Sequence, residues 1–276
     1  MKSWHTLRLL PRLCLAIAVS LVLLLLGPLS VLAFGELTAR DAWRQGSRDS
    51  SGQSPDPATH DGAVVQVFAA RTLGWRGAFG VHTWLATKRA GAPGYRVHHV
   101  IGWRYYYGGS AVVSQSGVPD FHWFGARPTL LADHRGARAE AMIDAIEAAV
   151  QAYPYADLYR VWPGPNSNTF TAWVARQVPE LELDLPPNAL GKDFLGQGRI
   201  IAPMPSGTGW QLSLYGLVGA GVARKEGIEV NLLGLAAGFD LDDLAWRIPG
   251  WAGYRSGHWP ARRIASPADD APADPA

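Results

Sequence analysis

Gly80-Val81-His82-Thr83-Trp84-Leu85 and, further along, Pro165-Asn166-Ser167-Asn168-Thr169-Phe170 decide how this chain is read. The first is a β-prone apolar run that carries an imidazole. The second follows Pro163-Gly164 and opens a predicted helix over residues 168–178. Phe170, Trp173, Val174 and Gln177 share one face of that helix, and Pro179 ends it. A nucleophile at a helix N-terminus gains twice: unpaired backbone N–H groups can hold a developing oxyanion, and the positive dipole end favours negative charge. Ser167 has that position. Asn166 and Asn168 flank it with amides suited to an oxyanion or to orienting an imidazole, and His82 is the candidate general base. The same residues also have a plainer meaning. Asn and Ser are preferred N-caps, and His82 among Val81, Thr83 and Trp84 fits a hydrogen-bonded core histidine.

Working outward, residues 64–70 and 79–87 are β-prone. Residues 95–107 give a third strand signal broken at Gly102, and Gly91-Ala92-Pro93-Gly94 supplies the turn between the last two. Residues 137–152 predict a helix, because Met142, Ile146, Ala149 and Val150 recur at helical spacing while Glu140, Asp144 and Glu147 lie elsewhere. A short extended piece, 158–162, leads into the serine segment. After Pro186-Pro187 come two glycine-rich apolar stretches, 212–223 and 228–241, joined by Arg224-Lys225-Glu226-Gly227. Each contains Leu-x-Gly-Leu. They predict a close-packed β-hairpin, or alternatively a surface that dips into lipid. The expected class is α+β: an antiparallel sheet packed against helices, with a glycine-rich C-terminal β extension.

The net charge of +2 argues against a nucleic-acid binder, whose footprint is a dense basic stripe. The single cysteine, Cys14, lies in the N-terminal apolar segment, so the body of the chain has no disulfide, thiolate metal site or catalytic thiol. From Leu13 to Phe34 the sequence is apolar apart from Ser20 and Ser30, and it follows Lys2, Arg8 and Arg12. Two expectations stand side by side. One is an uncleaved transmembrane anchor. The other is a signal peptide broken at Gly27-Pro28 and cut after Val31-Leu32-Ala33. Either puts the remaining chain at the bacterial inner membrane facing the periplasm or cell exterior, or free in the periplasm. The expected organisation is residues 1–40 as anchor or signal, 41–62 as flexible linker, 63–206 as main domain, 207–259 as β extension and 260–276 as disordered tail.

Asn166-Ser167-Asn168-Thr169-Phe170 is similar to the Asn-Cys-Asn-Thr-Phe signature of the permuted papain-fold peptidases called PPPDE. Gly80-Val81-His82-Thr83 resembles their histidine strand, and NlpC-like and lecithin:retinol-acyltransferase-like proteins share a related Asn-Cys pattern. The resemblance implies a permuted papain-like fold in which Ser167 stands where those enzymes carry cysteine. A hydroxyl stays protonated at neutral pH and needs a base acting during attack, with a third group to fix the imidazole. Asp120, Asp133 and Asp193 are the candidates for that group. Trp162-Pro163-Gly164-Pro165-Asn166-Ser167-Asn168, Gly191-Lys192-Asp193 and Glu229-Val230-Asn231-Leu232 also resemble the uncharacterised bacterial DUF family number 3750, which implies no activity. Asp193 is favoured because it lies in one of these motifs. The expected function is an extracytoplasmic hydrolase or acyltransferase on an amide or ester, with peptides, cell-wall fragments or acyl lipids as substrates and no cofactor. The alternative is an envelope protein that keeps the cleft for binding alone. His98-His99 point to opposite faces of a strand, and with His122 and His134 they match no metal-ligand spacing.

Overall fold

The computed structural model describes residues 3–35, 37–39, 41–242 and 244–250, with the side chains of 3–10, 13, 14, 16 and 17 left aside. Its elements in chain order are α1 (Ser3–Phe34), α2 (Ala42–Gln45), β1 (Val64–Arg71), β2 (Val81–Lys88), β3 (Arg96–Val100), α3 (Gly102–Tyr106), β4 (Val112–Ser116), β5 (Thr129–Arg135), α4 (Gly136–Gln151) and α5 (Ser167–Gln177). Six strands follow: β6 (Ile201–Pro203), β7 (Gly209–Leu214), β8 (Val218–Ala223), β9 (Gly227–Leu232), β10 (Leu235–Asp240) and β11 (Ala245–Arg247). The class is α+β with antiparallel sheets, as expected.

The first sheet runs β4-β3-β2-β1-β5 with every neighbour antiparallel. Val65, Val67, Ala69, Val81 and Leu85 point to one side, where Met142, Ile143 and Ile146 of α4 and Phe170 and Val174 of α5 cover them. Phe68, Ala70, Trp84 and Ala86 point to the other and meet Tyr95, Trp123 and Phe124. Both faces are therefore dry, which is why β1 and β2 read as continuous apolar runs rather than alternating ones. The third strand ends earlier than predicted. Gly102 begins the short helix α3, and a Cβ there would meet the Tyr159 ring at 2.3 Å.

Residues 41–62, expected to form a flexible linker, are fastened to the domain. The buried Asp120 carboxylate accepts from the Ser50 and Ser51 hydroxyls (2.8 and 3.1 Å) and from the backbone N–H of Gln53 and Ser54 (2.6 and 3.3 Å). Burial alone would raise the Asp120 pKa, but these donors hold it below its ordinary value. Lys88 Nζ also donates to the carbonyls of His60 and Gly62.

The glycine-rich extension is a second sheet, a six-strand meander β11-β10-β9-β8-β7-β6. Each predicted single stretch is itself a hairpin, because each Leu-x-Gly-Leu is its turn. Tyr215 and Gly216 have φ of 55° and 73°, Leu233 and Gly234 of 56° and 86°. Positive φ at both central positions is the type I′ pattern of two-residue hairpins. The side of this sheet turned toward the domain is polar. Lys192 Nζ donates to Glu229 at 2.6 Å, and Arg247 grips Asp184 through two bonds of 2.6 and 2.7 Å. The second Arg247 guanidinium nitrogen lies 3.3 Å from Glu229.

The N-terminal segment forms one helix. α1 continues through Gly27-Pro28 to Phe34 instead of breaking there. Among the described residues, no helix is long and apolar enough to cross a membrane, so the expected transmembrane helix is not found. Leu24, Gly27, Pro28 and Val31 of α1 are buried, and the helix packs on the 3-10 turn Gly74–Ala78 and on β10. The expected tail, 260–276, lies outside the described residues.

Candidate functional site

α5 begins where the sequence places it, and its start is rigid. Asn166 is extended (φ −145°, ψ −166°), and its Oδ1 accepts from the N–H of Asn168 (2.9 Å) and Thr169 (3.1 Å). The Asn166 N–H in turn donates to Thr169 Oγ1 at 3.1 Å, which completes a capping box. The Asn166 amide nitrogen donates to the carbonyls of Val161 and Leu190 (3.0 and 2.9 Å). Asn168 donates to the carbonyls of Val81 and Leu190 (3.0 and 2.8 Å), and its Oδ1 accepts from the Thr83 hydroxyl at 3.0 Å. An amide NH2 has two hydrogens, so both side chains are fully committed. The expectation that Asn166 or Asn168 donates to an oxyanion or orients an imidazole is corrected here: they brace the helix. Gly191 is part of the same brace. At its φ of 96° a Cβ would lie 2.5 Å from Asn166.

One N-terminal donor is left over. Among the described residues, the Ser167 backbone N–H has no hydrogen-bond partner, and neither does its hydroxyl, while its carbonyl accepts from Thr83 Oγ1 at 3.3 Å. Val81 O and Thr83 Oγ1, on either side of His82, thus both hold the first turn of α5.

Side chains alternate along a strand, so with Val81 and Thr83 turned toward α5 the His82 ring turns to the other layer. It lies flat on Trp123, with centroids 3.7 Å apart and planes 10° apart. His82 Nε2 is 3.3 Å from His99 Nδ1, one ring donating and the other accepting. Burial, and then the neighbouring His99, push the His82 pKa well below 6.5. Burial chiefly lowers that of His99 to about 3. Both rings are neutral at pH 7. Among the described residues, the buried His99 Nε2 has no hydrogen-bond partner.

No hydrogen bond joins the Ser167 hydroxyl to the His82 ring, and each residue is 6 % exposed. The structure brings the backbones of the two candidates together but not their reactive atoms. Asp193 is not the third member expected. Its carboxylate meets Lys192 (3.4 Å) and Asn231 (2.7 Å) in the layer between the sheets. Asp120 holds the 50–54 segment, and Asp133 binds Gln66 and Arg135. The imidazole's partner is His99, which sequence reasoning set aside because its neighbour His98 faces the other way. The available signal was the two-residue alternation that places His99 on the His82 side.

Beside the first turn of α5 is a cavity of about 180 Å³, lined by Tyr153, Thr169, Trp173, Arg176 and Phe194 among others. Among the described residues, no three His, Cys, Asp or Glu side chains gather as metal ligands would. Residues 62–194 match the family model described as Protein of unknown function (DUF3750). No curated protein and no solved structure matched the chain.

Proposed function

Starting from a chain whose residues 62–194 match that family model, we propose that the domain is a serine-type hydrolase or acyltransferase acting on an amide or ester, with a fold of permuted papain type. One observation carries this reading. At the capped start of α5 the flanking N–H groups are consumed, while the Ser167 N–H and hydroxyl both stay unbonded. Nucleophile and oxyanion donor then belong to one residue on a fixed backbone.

In this reading Ser167 Oγ attacks the carbonyl carbon and its proton passes to His82. The tetrahedral oxyanion accepts from the Ser167 N–H. The C–N or C–O bond then breaks, and the leaving group takes the proton from His82. Water, or a second acceptor alcohol or amine, resolves the acyl-serine by the same steps in reverse. For His82 to accept at Nδ1, its Nε2–H must donate to His99 Nδ1, so His99 is the positioning residue. Because the ring rests on Trp123 in the layer away from α5, this transfer requires it to turn toward the hydroxyl when substrate enters. The cavity beside Thr169 suits an apolar acyl or side-chain group, with Arg176 at its wall. The extracytoplasmic address belongs to the same proposal, supported by the apolar segment after Lys2, Arg8 and Arg12 and by the cysteine-free body of the chain. Peptides, cell-wall fragments and acyl lipids are the substrate classes that this address offers.

The resting separation of hydroxyl and imidazole favours a second reading, in which the cleft binds without chemistry. An alkyl fluorophosphonate separates the two. The enzyme reading expects wild type to be labelled and Ser167→Ala and His82→Ala to fail, with His99→Ala slowed. Absence of labelling on folded wild type refutes it and leaves the binding reading.

A further inference from the structure

The second sheet is inside out. Its domain-facing side buries Gln211, Ser213, Glu229, Asn231 and Asp240, whereas Trp210, Leu212, Leu214, Val218, Val222, Ile228 and Val230 are exposed. Cross-strand register turns this alternation into continuous rows. One row runs Pro203-Trp210-Val222-Ile228-Phe239-Trp246 across all six strands. A second runs Ile201-Leu212-Ala220-Val230-Ala237, and a third Leu214-Val218-Leu232-Leu235. None of these positions carries a charge or a hydrogen-bonding side chain apart from the indole N–H of the two tryptophans. A soluble sheet with one wet face shows the reverse pattern, and contiguous apolar surface of this extent marks an interaction site.

What covers it is indicated by α1. That helix touches β10 at the margin of the sheet and leaves Leu15, Val19, Leu23, Leu26 and Leu32 exposed. The chain up to Gly35 contains no acidic residue, and it carries Lys2, Arg8 and Arg12. Arg199 and Arg224 stand exposed two residues before β6 and directly after β8. Trp210, Tyr215 and Trp246 are 65 to 71 % exposed, and such rings favour the membrane–water interface. A second copy laid on the sheet would leave the bare side of α1 in water. A single bilayer surface covers both, and its anionic headgroups meet the flanking cations.

We infer that the outer face of the β6–β11 sheet docks, together with α1, on the surface of an anionic phospholipid bilayer, so that the domain lies on the membrane through a β-sheet. This stands apart from the proposed chemistry at Ser167.

The test uses the full chain in a Cys14→Ser background. A fluorescent NBD group is attached through Val222→Cys or Val230→Cys, and through Glu180→Cys as an exposed control outside the sheet. On phosphatidylglycerol/phosphatidylethanolamine vesicles, emission from positions 222 and 230 should shift to the blue and rise at least about twofold. Doxyl groups on the lipid should quench it, and position 180 should not respond. The paired change Val222→Glu/Val230→Glu, at exposed positions, should leave the melting midpoint in place and cut vesicle partition by roughly tenfold or more. Two results overturn the inference. In one, labels at 222 and 230 keep aqueous emission while the chain floats with vesicles, so that α1 alone holds it. In the other, the labels turn apolar without lipid as the mass of the particle doubles.

Discussion

Replacing Lys192 by methionine tests what joins the two sheets. Lys192 is 1 % exposed, and its ammonium lies 2.6 Å from Glu229 and 3.4 Å from Asp193. Burial pulls its pKa down, but the two carboxylates outweigh burial and raise it above its ordinary value. Burial likewise works to raise the Glu229 pKa, and Lys192 and Arg247 bring it below the usual range. Lys192→Met keeps the apolar stem and removes the charge. Glu229 is left with Arg247 at 3.3 Å, and Asp193 with the Asn231 amide. Breaking a buried pair by removing one partner costs about 3–5 kcal/mol, because a desolvated charge stays behind. At about 2–4 °C per kcal/mol for a chain of this size, the melting midpoint should fall by roughly 6–20 °C. The double variant Lys192→Met/Glu229→Gln removes both charges and should recover most of that loss, giving a coupling above about 1.5 kcal/mol in denaturant titrations. If instead each single change costs under about 1 kcal/mol and the two simply add, the pair behaves like an exposed one and the clamp argument is wrong.

Two further outcomes follow from buried titratable groups. Glu226 accepts from the N–H and hydroxyl of Ser206, yet burial first and Asp184 second push its pKa up to about 7 from 4.5. The folded state then holds a proton that the unfolded state releases. Its contribution is fully present below pH 4.5 and is lost as pH rises through about 7, an order of 3 kcal/mol. Glu226→Gln should abolish that decline when urea-unfolding stability is compared with wild type from pH 4.5 to 8; parallel curves would reject the assignment. Trp123→Ala should uncover the His82 ring and move its pKa back toward 6.5, read by NMR titration of the imidazole C–H. Stability lost by wild type as pH falls below 6.5, while that ring is forced to charge, should then be lost less steeply. An unmoved His82 titration would show that Trp123 is not its shield.

The first sheet was legible because both its faces are apolar. Residues 64–70 and 79–87 differ from β1 and β2 by no more than two positions at an end, and the predicted helices 137–152 and 168–178 match α4 and α5 to within one. Proline and glycine before Asn166 and the cap chemistry of Asn166 itself carry enough local information to fix where α5 starts. Strand β4 has exposed Gln115 and Ser116 at its end, and β5 mixes Thr129, Asp133 and His134 into its run, so neither stood out in composition. The His82–His99 pair was hidden for a different reason. It joins residues on neighbouring strands, and only the register of β2 with β3 puts His99 on the side of His82.

The second sheet shows where a period-2 pattern stops being informative. Alternation in Trp210-Gln211-Leu212-Ser213-Leu214 states that two faces differ, but not which one meets the protein. The usual assumption buries the leucines. Here the inward face is instead met by residues from before the sheet: Lys192 pairs Glu229, Asp184 takes the Arg247 guanidinium, and Asp193 accepts from Asn231. Burying charge is tolerable only where opposite charges and donors are brought to it in this way. Gly191-Lys192-Asp193 and Glu229-Val230-Asn231, which carry part of the family resemblance, therefore help to hold a polar face inside and an apolar face out. The turns add to the concealment, since Tyr215 and Leu233 adopt positive φ where asparagine or aspartate is the usual signal. An inverted sheet with ordinary alternation can be recognised only once the partners of its buried charges are known.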